Sequence, residues 1–225
     1  MPIGDSPCAP RFDAGLIAGT LGSLFDQIWQ WDQDLYHALH VGVRSAALDP
    51  WMRLITDTGL GWVQALILGI VLWARKSWRP SVLLVFGSAV FCGLVRLPAM
   101  RWFDRMRPSN FEFASPMEDI FGNSSFPSGH TATSFAIAFS VWFLVKGTRY
   151  AWLGPALTAW ALAVGISRIY VGVHYPSDVF GGAAFALMTS ATFFLILQRL
   201  RKGSEPVSDQ SDQSESEEVS SSPSK

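Results

Sequence analysis

Phe126-Pro127-Ser128-Gly129-His130 is followed by residues 131–145 without a single charge. Proline suits the first turn of a helix because it lacks an N–H that would be orphaned there. The unpaired N–H groups and partial positive charge of a helix start form a natural anion site. The stretch therefore reads as an apolar helix whose electropositive start carries an imidazole. Gly129 lets an oxyanion approach the backbone. His130, just inside, can present a proton to whatever the anion is attached to. A capped helix with an interfacial histidine is the alternative reading of these residues taken alone.

Working outward, four more segments resemble the apolar run after His130. The five are residues 58–74, 81–97, 128–145, 151–166 and 179–197. Each sits at the short end of the ~20 residues a helix needs to cross a bilayer core. Lipid offers the backbone no hydrogen bonds, so spans of this kind must be helical. Gly69, Gly87, Ser88, Gly181, Gly182 and Ala183 would let such helices approach closely. The expected fold is all-α: a polytopic membrane helical bundle of about five transmembrane helices. Residues 13–45 add apolar positions near helical spacing, interrupted by Asp26, Asp32 and Asp34. They predict an N-terminal amphipathic helix in the membrane interface, with Trp29 and Trp31 at headgroup depth. A sixth, shorter span is the minority reading.

Composition agrees. Of 225 residues, 49% are hydrophobic and 16% charged, with 10 Trp and 16 Phe; a soluble domain carries about a quarter charged residues. The net charge of -1 hides an asymmetry, because Ser204 onward holds six acids and one base. That Ser- and Glu-rich tail cannot bury enough apolar surface to offset its ordering entropy and is expected to be disordered. The expected organisation is an N-terminal segment (1–45), a membrane-integral domain (46–202) and the acidic tail (203–225). Cys8 and Cys92 read as unpaired thiols, and the N-terminus lacks the pattern of a cleavable signal.

Basic residues set the orientation. Arg75, Lys76 and Arg79, then Lys146 and Arg149, then Arg199, Arg201 and Lys202 fall in connectors on one side, free of acids. The positive-inside rule puts these clusters in the cytoplasm. The loops holding residues 100–127 and 167–177 then face outward, with every candidate catalytic residue. The expected location is the cytoplasmic (inner) membrane, with the site on its extracytoplasmic side.

The second informative stretch runs from Ser167-Arg168 through His174 to Asp178. A guanidinium offers parallel donors to phosphate oxygens. An Asp four residues after His174 can accept a ring N–H, which fixes the tautomer and bares the other nitrogen for attack. A snorkelling arginine and an N-cap aspartate are the bland alternatives. Arg101, Arg105 and Arg107 form a basic rim ahead of Pro108. Of the four histidines, His37 and His40 lie in the N-terminal helix and read as surface or interfacial residues. No cluster has metal-ligand spacing. These are parts for gripping a phosphate and splitting its ester through a histidine, with lipid as the adjacent phase.

Taken in order, the elements resemble the type 2 phosphatidic acid phosphatase family, the lipid phosphate phosphatases. Its motifs are Lys-x6-Arg-Pro, Pro-Ser-Gly-His and Ser-Arg-x5-His-x3-Asp. The second matches at 127–130 and the third at 167–178. The first matches at Arg107-Pro108, with Met100 in the lysine position and Arg101 as the expected stand-in. The resemblance implies a helical bundle and a metal-independent phosphatase that needs no cofactor. It makes His174 the nucleophile of a phosphohistidine, oriented by Asp178, and His130 the general acid. Arg107, Arg168, Ser128, the Gly129 N–H and, more weakly, Arg101 would hold the phosphoryl oxygens. The implied partners are a lipid phosphate substrate and membrane lipids, with no nucleic acid. Undecaprenyl diphosphate, whose dephosphorylation recycles a cell-wall carrier, leads the substrates. Phosphatidylglycerol phosphate, phosphatidic acid and lipid A phosphates are the others. A lipid phosphotransferase, a vanadium haloperoxidase and a non-catalytic transporter or scaffold are the rival readings.

Overall fold

A computed structural model of the chain describes residues 20–111, 114–117 and 124–203. The N-terminal tail with Cys8, part of the 100–127 loop and the acidic C-terminal tail lie outside these residues. The described chain is helical: α1 (Thr20–His37), a π-helical turn (Ala38–Gly42), α2 (Asp49–Asp57), α3 (Gly61–Ala74), α4 (Arg79–Phe103), α5 (Gly129–Val145), α6 (Leu153–Tyr170) and α7 (Pro176–Gly203).

The helix begun by Gly129 is the centre of the bundle. α5 packs against α4, α6 and α7, and its Ala132, Ala136, Ala138, Ser134 and Ser140 are buried. Small side chains bring the neighbouring backbones close, the means by which helices associate where apolar burial gives no advantage. Hydrogen bonds cross the interfaces: Gln64 Nε2 donates to Ser134 Oγ at 2.8 Å, and Ser88 Oγ to Ser190 Oγ at 3.2 Å. Each contributes roughly 0.6 kcal/mol in such a setting. Gly87 packs under the Phe193 ring, whereas Gly69 faces open space and joins no such contact. Cys92 is a free, buried thiol directed at the Ala132 carbonyl.

All five segments expected to span are helical. Among the described residues, two helices are long and apolar enough to cross a membrane alone, Lys76–Phe103 and Pro176–Arg201. A third span is available if α2 and α3, bent by 65° at their break, act as one. Helix α5 is apolar but has 17 residues. Encirclement by other helices allows α5 to be short and rich in small residues, and α6 to carry Ser167 and Arg168 in its last turn. The lipid-facing surface falls to exposed residues such as Trp62, Ile70, Leu83, Leu94, Phe180 and Leu195.

Helix α1 is amphipathic, with Leu24, Phe25, Ile28 and Trp31 exposed. Its other face is buried in protein. Asp32 and Tyr36, with His40 in the turn beyond, have at most 1% exposure. Trp29, expected at headgroup depth, is half-buried and packs its ring, tilted by 54°, against Tyr175 with centroids 5.5 Å apart. His40, expected at the surface, accepts from the Ser115 N–H through Nε2 and donates from Nδ1 to the Tyr170 carbonyl. Its ring fills the space where a side chain on Gly172 would stand. Burial holds its pKa below the ordinary range.

Candidate active site

Two chain reversals and one bond between helix starts bring the motif residues together at one end of the bundle. Asp104 ends α4 in the left-handed conformation (φ 35°), its N–H returning to the Met100 carbonyl, and the chain turns so that Arg105 and Arg107 follow. Gly172, at φ +86°, reverses the chain after α6, and Pro176 opens α7 four residues later. Ser128 bonds through its N–H to the Asp178 carbonyl, fastening the start of α5 to the start of α7. Close approach requires Gly182, where a Cβ would come within 2.9 Å of the Ser128 carbonyl oxygen.

His174 is buried in the loop between α6 and α7. Its Nε2 lies 3.1 Å from Arg107 Nη1, a contact in which the guanidinium donates and the ring nitrogen accepts. That assigns the ring proton to Nδ1, which lies 3.2 Å from Ser125 Oγ and 3.5 Å from Asp178 Oδ2. The expected direct bond from ring to carboxylate is thus too long, and Ser125 bridges the pair, its hydroxyl donating to Asp178 Oδ2. Burial pushes the His174 imidazole down to about 4, against the pull of Asp178 and with the help of Arg107. A neutral ring with its lone pair on Nε2 is the nucleophilic form.

Asp178 is fully buried and saturated. Oδ2 also accepts the Tyr175 N–H at 2.9 Å, the reach-back bond of a capping box. One carboxylate thus holds the start of α7 and the Ser125 hydroxyl beside His174. Oδ1 accepts from Arg105 Nη1 at 2.8 Å. The same guanidinium donates to Asp32 Oδ2 at 2.5 Å and lies over the rings of Tyr175 and Trp29. Asp32 in turn accepts from the Ser177 N–H at 2.7 Å and its hydroxyl at 2.6 Å. The N-terminal helix is thereby tied to the carboxylate beside His174.

His130 is half-buried at the second position of α5, and its Nε2 has no hydrogen-bond partner among the described residues. The guanidinium charges of Arg168, Arg107 and Arg96 all reach it. Arg168, buried in the last turn of α6, donates from Nη1 to Thr56 Oγ1 at 2.8 Å. Ser128 occupies the N-cap of α5 without capping it; its Oγ accepts from Thr131 and keeps its own proton to donate. The space over Gly129 holds the guanidinium of Arg96, within 3.0 Å of where a Cβ would lie.

His174, Asp178, His130, Arg107, Arg168, Ser128 and Gly129 thus lie at one end of the bundle. Arg101 is different: it is exposed beside Trp102, and no hydrogen bond or ion pair joins it to the others among the described residues. Ser125, Arg105, Asp32 and Arg96 are members that motif reading passed over. One signal pointed to Arg96, a lone charge in an otherwise apolar span. The spacing Asp32, Tyr36, His40 marked a polar helix face.

The family model for the PAP2 superfamily matches residues 77–202. Undecaprenyl-diphosphatase BcrC of Bacillus subtilis is 30% identical over 171 residues, covering 75% of this chain and 85% of that protein. Lipid A 4'-phosphatase of Bacteroides thetaiotaomicron is 35% identical over 104 residues, 43% of this chain and 44% of its own length. The chain therefore spans less than half of that relative. The crystal structure of a transmembrane PAP2-type phosphatidylglycerolphosphate phosphatase from Bacillus subtilis superposes with a TM-score of 0.64 at 27% identity, covering 80% of this chain and 89% of that one.

Proposed function

The chain belongs to the PAP2 superfamily, and on that premise we propose that it is a membrane lipid phosphatase working through a phosphohistidine at His174. The observation that carries this reading is the His174 ring, whose Nδ1 faces Ser125 and Asp178 and whose Nε2 lone pair meets the Arg107 guanidinium. Phosphate oxygens gripped by that guanidinium bring phosphorus to the attacking nitrogen.

Nε2 attacks phosphorus, the P–N bond forms, and the bond to the lipid-side oxygen breaks. His130 protonates that oxygen. Water then attacks the phosphohistidine, His130 takes the water's proton, and phosphate leaves as Nε2 regains its lone pair. Phosphoryl transfer is mostly positioning and charge stabilisation. Arg107, Arg168, Ser128 and the start of α5 supply both.

Undecaprenyl diphosphate is the proposed substrate, because the diphosphatase relative is matched over most of both chains. An apolar cavity of about 570 Å³ supports a lipid. It is lined by Thr58, Gln64, Ile137 and Trp160 and extends to Trp78, Thr148 and Tyr150 near the basic connectors. The basic connectors at 75–79, 146–149 and 199–202 support an extracytoplasmic site. The test is phosphate release by the purified protein, in EDTA, from undecaprenyl diphosphate, phosphatidylglycerol phosphate, phosphatidic acid and lipid A. Release is expected to be fastest from the diphosphate and undiminished by chelation. Preference for another lipid would reassign the substrate. Transfer of label to an acceptor lipid with no free phosphate would make the protein a phosphotransferase.

A further inference from the structure

Helix α3 stands off from the rest of the bundle. Of its residues only Gln64 is buried, while Trp62, Leu66, Ile70 and Trp73 are exposed. Between α3 and helices α4, α5 and α6 lies the apolar cavity of about 570 Å³. Close-packed interiors leave few voids larger than a water molecule, and an apolar space of this kind does not hold water. Inside a membrane the filler at hand is a lipid chain, and the two ends of the cavity tell which lipid supplies it. At the inner end the polar groups serve the protein. Trp160 donates to Thr58 Oγ1 at 2.9 Å, Thr58 donates to the Ile55 carbonyl at 2.6 Å, and Gln64 donates to Ser134 at 2.8 Å. The other end reaches the α3–α4 and α5–α6 connectors. They meet where the rings of Trp78 and Tyr150, both lining the cavity, pack edge to face with centroids 5.3 Å apart. Arg149 lies over the Tyr150 ring, 4.7 Å from its centroid. Arg79 follows Trp78, and Lys146 follows Val145, which also lines the cavity. These three cations are exposed, as are Arg75 and Lys76, and among the described residues none of the five pairs with a carboxylate.

We propose that this cavity binds one anionic phospholipid, with an acyl chain between α3 and α5 and the headgroup phosphate on Arg79, Lys146 and Arg149. Trp and Tyr rings mark the depth of the headgroups, and basic pockets between helices at the cytoplasmic face take anionic ones. The acidic C-terminal tail is a poorer match: from Ser204 to Lys225 it offers carboxylates, but only Val207 and Val219 as aliphatic residues. The site is separate from the catalytic one. Its charged end lies just past α5, roughly 22 Å along that helix from His130, and before the start of α6, whose last turn holds Arg168. Binding there is independent of the phosphatase reading. A chain wedged in this place supplies the packing that α3 lacks.

The test uses the full chain in neutral detergent micelles, with native mass spectrometry to count retained lipid and Tm as a second readout. The probes are phosphatidylserine and phosphatidylcholine with the same acyl chains. Both are phosphodiesters, which a monoester or diphosphate hydrolase does not consume. One phosphatidylserine per chain is expected to be retained, with a raised Tm, and to bind about 100-fold more tightly than phosphatidylcholine, at roughly fivefold per cation. The triple variant Arg79→Gln, Lys146→Gln, Arg149→Gln alters exposed residues only, and it is expected to bring phosphatidylserine down to the level of phosphatidylcholine. Val141→Trp fills the cavity that Val141 lines and is expected to abolish retention of both lipids. If it does not fold, Leu157→Phe, on another wall, carries that arm. Equal retention of the two lipids by the wild-type chain, or undiminished phosphatidylserine binding in the triple variant, would overturn the proposal. Loss in the triple variant with full retention in the cavity-filled chain would also overturn it, because the headgroup would then bind a charged surface and not this cavity. A triple variant with a lowered Tm in lipid-free micelles, together with no preference for phosphatidylserine in the wild type, would give the basic mouth to the acidic tail and overturn the lipid site equally.

Discussion

An imidazole with almost no exposed surface, next to an arginine, stays neutral far below its ordinary range. For His174 the folded value is about 4 against 6.5 for the free group. The unfolded chain therefore binds a proton that the folded chain refuses between those values. Stability is complete above about pH 6.5 and falls as pH drops through the window towards 4, by roughly 3 kcal/mol. Burial of His40 acts in the same sense. Melting temperatures from pH 7 to 4 should show this loss, and His174→Asn should flatten part of it; an unchanged slope would contradict a buried neutral ring. The acidic limb of kcat/KM should accordingly lie near pH 4 and not near 6.5. Ser125→Ala removes the hydroxyl between ring and carboxylate. It should lower kcat by about 10–100-fold with little change in KM, as loss of an orienting partner does. The nearness of His174 and Asp178 was legible because they lie four residues apart, one in the loop before α7 and one in its first turn. Ser125 was not, because nothing in sequence spacing says that a residue 49 positions earlier will stand between them.

Helices place these groups, and each junction has a price in packing freedom. Pro176 starts α7, Gly172 reverses the chain before it, and Gly182 lets α7 meet the Ser128 carbonyl. Helix identity was readable from apolar runs, proline positions and breaks. The crossing of the membrane was less so, because the apolar count of α5 and α6 reflects neighbours that replace lipid. The role of α1 was hardest to see. Its exposed apolar face reads as interfacial, but Asp32 on the opposite face finds its partners, Arg105 and Ser177, more than 70 residues away in sequence. Removing one member of a buried, hydrogen-bonded ion pair costs about 3–5 kcal/mol. Asp32→Ala should therefore lower Tm measurably and reduce kcat, since Arg105 loses its second carboxylate and holds Asp178 less firmly. Full activity in a destabilised Asp32→Ala protein would mean that α1 serves stability alone.

Across the molecule, charge and hydropathy divide the chain into two ends. Basic connectors lie at one, and arginines with two histidines converge at the other. Between them α5 carries the anion-binding start into a bundle whose outer faces are greasy. A phosphate headgroup can thus be held while its lipid chain stays in apolar surroundings. The proposed covalent catalysis ties these scales together and can be tested at one atom. Protein quenched in mid-turnover with ³²P-labelled undecaprenyl diphosphate, digested and sequenced at high pH, should carry acid-labile phosphate on His174 and none in His174→Ala. Steady hydrolysis with no label on His174, or equal labelling in the alanine variant, would contradict the mechanism.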